Sequence, residues 1–295
     1  MTNNTFTSKD ISLETERKAT LRATLFTPND KKVTQAILIA PATGIKRTFY
    51  KHFARYLASH GFGVISFDNE GIGNSKQYKG AAGVKKCDAS LVSWGQFDMP
   101  AVLTQLKNTF PEAKYHLIGH SAGGQLFGLM HNHGDLTSVF NVACSSGQIA
   151  NMQLSHKLKA IWFMDFFIPT SNLAFGYAKN NAVGMGEPLP KLVAKQWRDW
   201  CNGSGYVKMA FGKEVKEHHY DEITLPSLWI NAPDDYIAND ANVADMLRVF
   251  PNINATTKTL IPSDYGLKEI GHMKFFSRQS EVLWDMAVDW INAHA

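Results

Sequence analysis

Cysteine is scarce in this chain: only Cys87, Cys144 and Cys201 occur, and they are widely spaced. Three scattered thiols exclude a disulfide framework and a cysteine-built zinc site, and they lead us to expect a reduced, cytoplasmic protein. Long apolar runs are missing too. The most apolar window, Ala160 to Pro169, is broken by Asp165 and falls well short of the roughly 20 residues that a membrane span requires, so no transmembrane segment is expected. Nor is one sign of charge in excess. The chain has 30 basic and 26 acidic residues, a formal net charge of +4, and no long run of either sign. That balance leaves no footprint for nucleic acid. Residues Met1 to Thr5 lack the basic start and apolar stretch of a secretory signal, so no targeting segment is expected. No internal repeat or low-complexity tract is visible.

What is present is a large apolar fraction, 44% of 295 residues, enough to bury one sizeable core carrying an insertion. Residues 10 to 26 alternate apolar and polar positions on either side of a break, the pattern of a half-exposed antiparallel pair. Short unbroken apolar runs follow at Ala36 to Ala40 and Gly63 to Phe67, separated by the helical spacing of Phe53, Tyr56 and Leu57 within Tyr50 to Ser59. Such runs suit parallel strands buried on both faces. The alternation continues with a helix at Phe97 to Leu106, a strand at Tyr115 to Ile118, a helix at Gln125 to His131 and a strand at Ser138 to Ala143. It breaks between about Gly147 and Asp221 and then resumes: a strand at Ser227 to Asn231, a helix at Asn239 to Phe250, a strand at Thr256 to Ile261 and a closing helix at Ser277 to Ala293. The spacing predicts an α/β fold, a mostly parallel sheet covered on both faces. Residues 1–146 and 221–295 form the core, and 147–220, with an amphipathic helix near Leu192 to Trp200, form an inserted helical cap.

The feature that proposes a reaction is Gly119-His120-Ser121-Ala122-Gly123, directly after the apolar run ending at Ile118. A serine framed by glycines between strand and helix is the setting of a nucleophile elbow, a tight turn that exposes the hydroxyl. Serine needs a general base to take its proton, and the base needs a third group to hold its tautomer. In such sheets the acid and then the histidine follow the serine along the chain. The acid search falls on the end of Leu228 to Asn231, where Asp234 and Asp235 lie beyond the carboxyl end of a strand. Asp235 is preferred because a branched apolar residue, Ile237, follows it two positions on; Asp234 is the alternative. Of the two later histidines, His294 is next to the chain end, whereas His272 lies between the last strand and the closing helix. Donors for a developing oxyanion are expected from the backbone N–H of Ala122 and of Thr43, with Ala42 its neighbour in the loop after Ala40.

With these residues in place the chain resembles the α/β-hydrolases, most closely bacterial hydrolases related to the serine aminopeptidase and monoacylglycerol lipase group. The resemblance spans residues 20 to 293. It is carried by Gly119 to Gly124, by Phe67-Asp68-Asn69-Glu70-Gly71-Ile72-Gly73-Asn74-Ser75, by Asp235-Tyr236-Ile237-Ala238, by Gly271-His272-Met273, and by the segment Leu189 to Cys201. It implies an α/β-hydrolase fold and a Ser121, His272, Asp235 triad. The chain departs from the group at the oxyanion loop, where Pro41-Ala42 replaces His-Gly, and at Lys274. The expected activity is a serine hydrolase acting through an acyl-enzyme on a small carboxylic ester with an apolar part, in the carboxylesterase or lipase class. Aminopeptidase, thioesterase and acyltransferase chemistry would use the same residues, and a non-catalytic binding protein is the rival from another class.

Other signals point elsewhere. Gly71-Ile72-Gly73 suggests a dinucleotide turn, but Lys76 stands where the third glycine belongs. His131 with His133, and His218 with His219, lack one-face spacing and a clear third ligand, so no metal and no cofactor are expected. Trp162 to Phe167 reads as the insertion's own core or as the lining of an acyl pocket. Asp98 reads as a helix cap or surface group.

Overall fold

A computed structural model describes residues 5–29, 32–78 and 80–295. Its centre is an eight-stranded sheet. In chain order the strands are β1 Phe6–Glu14, β2 Thr20–Pro28, β3 Gln35–Ala40, β4 Gly63–Asp68, β5 Lys114–His120 and β6 Leu136–Val142; a separate two-stranded ladder, β7 Tyr177–Ala178 with β8 Leu189–Pro190, precedes β9 Pro226–Asn231 and β10 Asn254–Thr259. The order across the main sheet is β1-β2-β4-β3-β5-β6-β9-β10. β2 is antiparallel to β1 and β4, and every other pair is parallel. The architecture is thus α/β with a mostly parallel sheet. β3 and β4 are buried at every position, which accounts for their unbroken apolar sequence. At the far edge β10 is exposed throughout and polar except at Ala255, and Lys258 near its end blunts an otherwise open edge.

The register sets up the functional edge. Ala40 pairs with Gly119, His120 with Val142, and Val142 with Ile230. The loops that leave β3, β5, β6 and β9 therefore emerge side by side at the carboxyl edge of the sheet, where open α/β sheets gather their ligands.

Three helices differ from their sequence expectation. The run predicted over 97–106 extends from Leu91 to Thr109 and contains a π turn, Trp94–Asp98. Pro100 has no N–H to donate to the preceding turn and its ring crowds that turn, so the helix widens ahead of it. A second π turn, Trp162–Phe167, stands in the same relation to Pro169. Asp98, expected as a cap or surface group, is instead fully buried on the first of these turns and accepts the Glu70 N–H at 2.8 Å. Burial pushes its carboxyl well above the ordinary range.

The helix predicted over 125–131 is short: an α turn Ala122–Gln125 and a 3-10 turn Phe127–Leu129. Carbonyls that would extend it are taken by another segment, Gln125 by the Tyr220 hydroxyl at 2.7 Å and Gly128 by the His219 N–H at 2.7 Å. The closing helix is split into Arg278–Leu283 and Asp285–Ala293, with Ser280 off the helical conformation. Trp284 sits between the halves, its indole N–H bonded to the Phe275 carbonyl at 2.7 Å and its ring packed on Phe53 and Tyr56.

Between β6 and β9 the chain makes a long helical excursion. Its first arm runs Leu154–Ile161, through the π turn, to Ile168–Phe175, and its second is the helix Lys191–Cys201. Phe163 meets Trp197 edge to face at 5.6 Å, and Trp200 meets Tyr206 at 5.0 Å, so aromatic contacts hold the excursion together.

Candidate active site

β5 ends at His120 and a helix starts at Ala122, so Ser121 alone turns the chain, at φ +48° and ψ −114°. For a residue with a side chain this conformation costs about 1–3 kcal/mol and persists only where packing imposes it. The packing here is severe. A Cβ on Gly123 would lie 2.1 Å from the Ala40 carbonyl oxygen, and one on Gly124 would lie 2.2 Å from Asn141 Oδ1. Only glycines let the helix press onto the ends of β3 and β6 and leave the serine at the edge.

Ser121 Oγ lies 3.0 Å from His272 Nε2, and His272 Nδ1 lies 2.8 Å from Asp235 Oδ2. Asp235 is buried, while the His272 side chain keeps 16% exposure, so the chain of hydrogen bonds runs from protein interior to an accessible hydroxyl. A carboxylate only accepts; His272 therefore donates from Nδ1 and offers Nε2 to the serine hydroxyl. Burial alone would raise the Asp235 carboxyl. The His272 ring and the N–H groups of Ala238 and Ile237, both 2.9 Å from Oδ1, outweigh burial and hold it below the usual range. Asp234 faces elsewhere: it is exposed, and its Oδ2 accepts the Ile270 N–H at 2.9 Å. That bond secures the loop that carries His272.

A second hydrogen-bonded chain supports the first, and sequence reasoning missed it. His120 Nε2 is 2.8 Å from the His272 carbonyl oxygen, which can only accept, so Nε2 carries the proton. His120 Nδ1 then accepts from the Tyr50 hydroxyl at 2.8 Å, and the hydroxyl oxygen accepts the Ala42 N–H at 2.9 Å. Burial, reinforced by the neighbouring His272, pushes His120 down to about 3, so the ring stays neutral. The chain ties the Ala42 loop to the His272 loop through the middle of the motif. Only the position of His120 inside Gly119-His120-Ser121 hinted at it; Tyr50 lies 70 positions away.

This chain also separates the two oxyanion candidates in the loop after β3. The Ala42 N–H is committed to Tyr50, whereas no acceptor among the described residues takes the Thr43 N–H. Ala122 opens a helix, where N–H groups lack a preceding turn to bond. The loop is braced from the excursion: the Glu187 N–H donates to the Gly44 carbonyl at 2.9 Å, and the Glu187 carboxylate pairs with Lys46 and Lys76. The Gly71-Ile72-Gly73 segment is a structural turn. It wraps the buried Asp68, which pairs with Arg47 at 2.5 Å and accepts the Arg47 and Asn74 N–H groups.

An apolar cavity of about 500 Å³ adjoins the acid loop. Tyr236 and Ile237 line it from the core, and Gly147, Met152, Trp162, Phe163, Met185 and Trp197 line it from the excursion. No carboxylate lines it; Lys159 is its only charged neighbour among the described residues. The aromatic stretch Trp162 to Phe167 thus divides: Phe163 and Met164 are buried against this cavity, while Trp162 and Phe166 stay more than half exposed. The three cysteines are free, and among the described residues no helix is long and apolar enough to cross a membrane.

A family model described as serine aminopeptidase, S33, matches residues 31–262. The chain belongs to this hydrolase family. Solved structures agree on its α/β-hydrolase fold. A thermostable carboxyl esterase from Bacillus coagulans, in complex with glycerol, superposes with a TM-score of 0.63 at 13% identity, over 97% of this chain and 98% of the esterase. DcsB in complex with its substrate analogue gives 0.61 at 14%, over 98% and 100%. An esterase from Pyrococcus furiosus gives 0.60 at 14%, over 99% and 92%. No curated protein sequence matches the chain. At such identities the likeness is one of fold, so what this S33 hydrolase acts on must be argued from its own residues.

Proposed function

We propose that this S33 hydrolase is a serine esterase of the carboxylesterase class, cleaving small carboxylic esters that have an apolar part. The observation that carries the reading is the hydrogen-bonded run from Ser121 through His272 to the buried Asp235. Ser121 Oγ attacks the acyl carbon as His272 Nε2 takes its proton, and the tetrahedral oxyanion is held by the N–H groups of Ala122 and Thr43. His272 then protonates the departing alcohol, leaving an acyl-serine. Water attacks that acyl group with His272 as base, the acid departs, and the proton returns to Ser121. Asp235 holds the His272 tautomer and offsets the imidazolium charge.

The apolar cavity is lined by neither Ser121 nor His272 and adjoins the triad only through Tyr236 and Ile237, beside Asp235. Its size falls within the range of small-molecule sites, and in this reading it receives the acyl or alcohol chain of the ester. Residues 147–220 then act as a cap over the site, with 1–146 and 221–295 as the catalytic core. The family description favours a second reading, aminopeptidase activity. That chemistry calls for a carboxylate to receive a substrate ammonium, and none lines the cavity, so the ester reading stands first. Free cysteines fit a cytoplasmic setting. The test is a ladder of p-nitrophenyl esters run beside aminoacyl p-nitroanilides. Esters of medium chain length should be cleaved fastest and Ser121→Ala should be inert. Faster cleavage of the anilides, or no turnover of any ester, sinks the proposal.

A further inference from the structure

Away from Ser121, the fold brings together three side chains that the sequence keeps far apart. His133 sits in the turn that leads into β6, and His219 and Glu222 lie on the segment that returns from the excursion toward β9. Sequence spacing offered the histidine pairs no third ligand; folding supplies Glu222. Its Oε2 lies 2.9 Å from His219 Nδ1 and 3.5 Å from His133 Nε2, and one donor atom from each of the three residues lies within 4.8 Å of the others.

The separations suit a cation. Ligands held at about 2.0–2.1 Å around a tetrahedral zinc ion stand roughly 3.3 Å apart. The two separations from Glu222 bracket that value, and the two imidazole nitrogens, within 4.8 Å of each other, would draw together on binding. Imidazole nitrogen with carboxylate oxygen is also a donor set that first-row divalent ions accept. The backbone is already fixed: the His219 N–H donates to the Gly128 carbonyl at 2.7 Å, and the Tyr220 hydroxyl donates to the Gln125 carbonyl at 2.7 Å. His218, one residue away, takes no part. Its ring stacks on Phe211 at 3.9 Å, and its Nδ1 faces Asp221. Glu222 is 58% exposed and His219 27% exposed at the side chain, so an ion can enter from solvent and keep water as a fourth ligand.

We propose that His133, His219 and Glu222 form a divalent transition-metal site of the zinc class, which ties the segment leaving the excursion to the turn before β6. The site is built from groups that take no part in the ester chemistry proposed above and stands or falls independently of it.

The experiment uses full-length, tag-free protein stripped with a chelator and titrated with Zn²⁺ in a calorimeter at pH 7.5, with the thermal unfolding midpoint read in parallel. The wild type should bind one equivalent at micromolar affinity or tighter, and its midpoint should rise with Zn²⁺. His133→Gln and His219→Gln should each weaken binding at least about tenfold, as loss of a direct ligand must cost no less than loss of its supporting groups. Glu222→Gln, a change at an exposed side chain, should weaken it too and guards against misfolding of the histidine variants. His218→Gln should bind as the wild type does. Wild-type binding weaker than micromolar, or equal affinities for wild type, His133→Gln and Glu222→Gln, overturns the proposal.

Discussion

Replacing Tyr50 by Phe removes one oxygen from the chain that joins the Ala42 loop to the His272 loop. The ring would keep its contacts with Phe49 and Phe276, at 5.1 and 5.0 Å between centroids, so no cavity cost arises. What is lost is pairing. The Ala42 N–H and His120 Nδ1 are both left without a partner at buried positions, and an unsatisfied buried group costs about 1–3 kcal/mol. Two such groups amount to about 2–6 kcal/mol, a large share of the 5–15 kcal/mol typical of a folded domain. Urea unfolding should report a loss in this range with an unchanged m value. Because the chain positions loops on both sides of Ser121, ester hydrolysis should lose about tenfold in kcat with little change in KM, as expected when transition-state geometry loosens. A stability loss under about 0.5 kcal/mol, together with unchanged kcat, refutes the reasoning.

Two further outcomes follow from the same geometry. Asp235→Asn should lower kcat by about 10⁴, because the amide can hold the wrong imidazole tautomer, whereas Asp234→Asn should stay within about tenfold of wild type, because its oxygen can still accept the Ile270 N–H; steady-state kinetics on one ester decides between them. Stability should fall on acidification. The His120 ring, pushed down to about 3 by burial, takes a proton in the unfolded chain near pH 6.5 but not in the folded one. Its contribution is therefore complete above pH 6.5 and drains away as the pH drops toward 3. At pH 5 the loss is about 2 kcal/mol, and His120→Gln should flatten the slope measured by urea unfolding between pH 8 and 5. An unaltered slope contradicts the assignment.

The parts of the fold legible in the sequence are those fixed by local pattern. Unbroken apolar runs marked β3 and β4, because strands covered on both faces leave no polar side. Glycines at 119 and 123 marked the turn at Ser121, because the contacts there admit no Cβ. Chain order picked out Ser121, Asp235 and His272, which lie hydrogen-bonded to one another. The sequence preferred Asp235 over Asp234 only on Ile237 two positions on; in the fold the turn at Ala232 directs one inward and the other toward Ile270. The rest depends on contacts between distant segments. Tyr50 meets His120 across 70 positions. The helix after Ala122 stops early because Tyr220 and His219 claim its carbonyls. The π turns arise from prolines whose effect falls on the turn before them, so periodicity places the helix but not its shape.

The most direct test of the account is labelling with a fluorophosphonate, which reacts with a serine only when a neighbouring base activates it. The intact protein should be labelled at Ser121, as read by peptide mass, and neither Ser121→Ala nor His272→Ala should be labelled. An unlabelled wild type, or label retained in Ser121→Ala, contradicts the claim that Ser121 is the nucleophile.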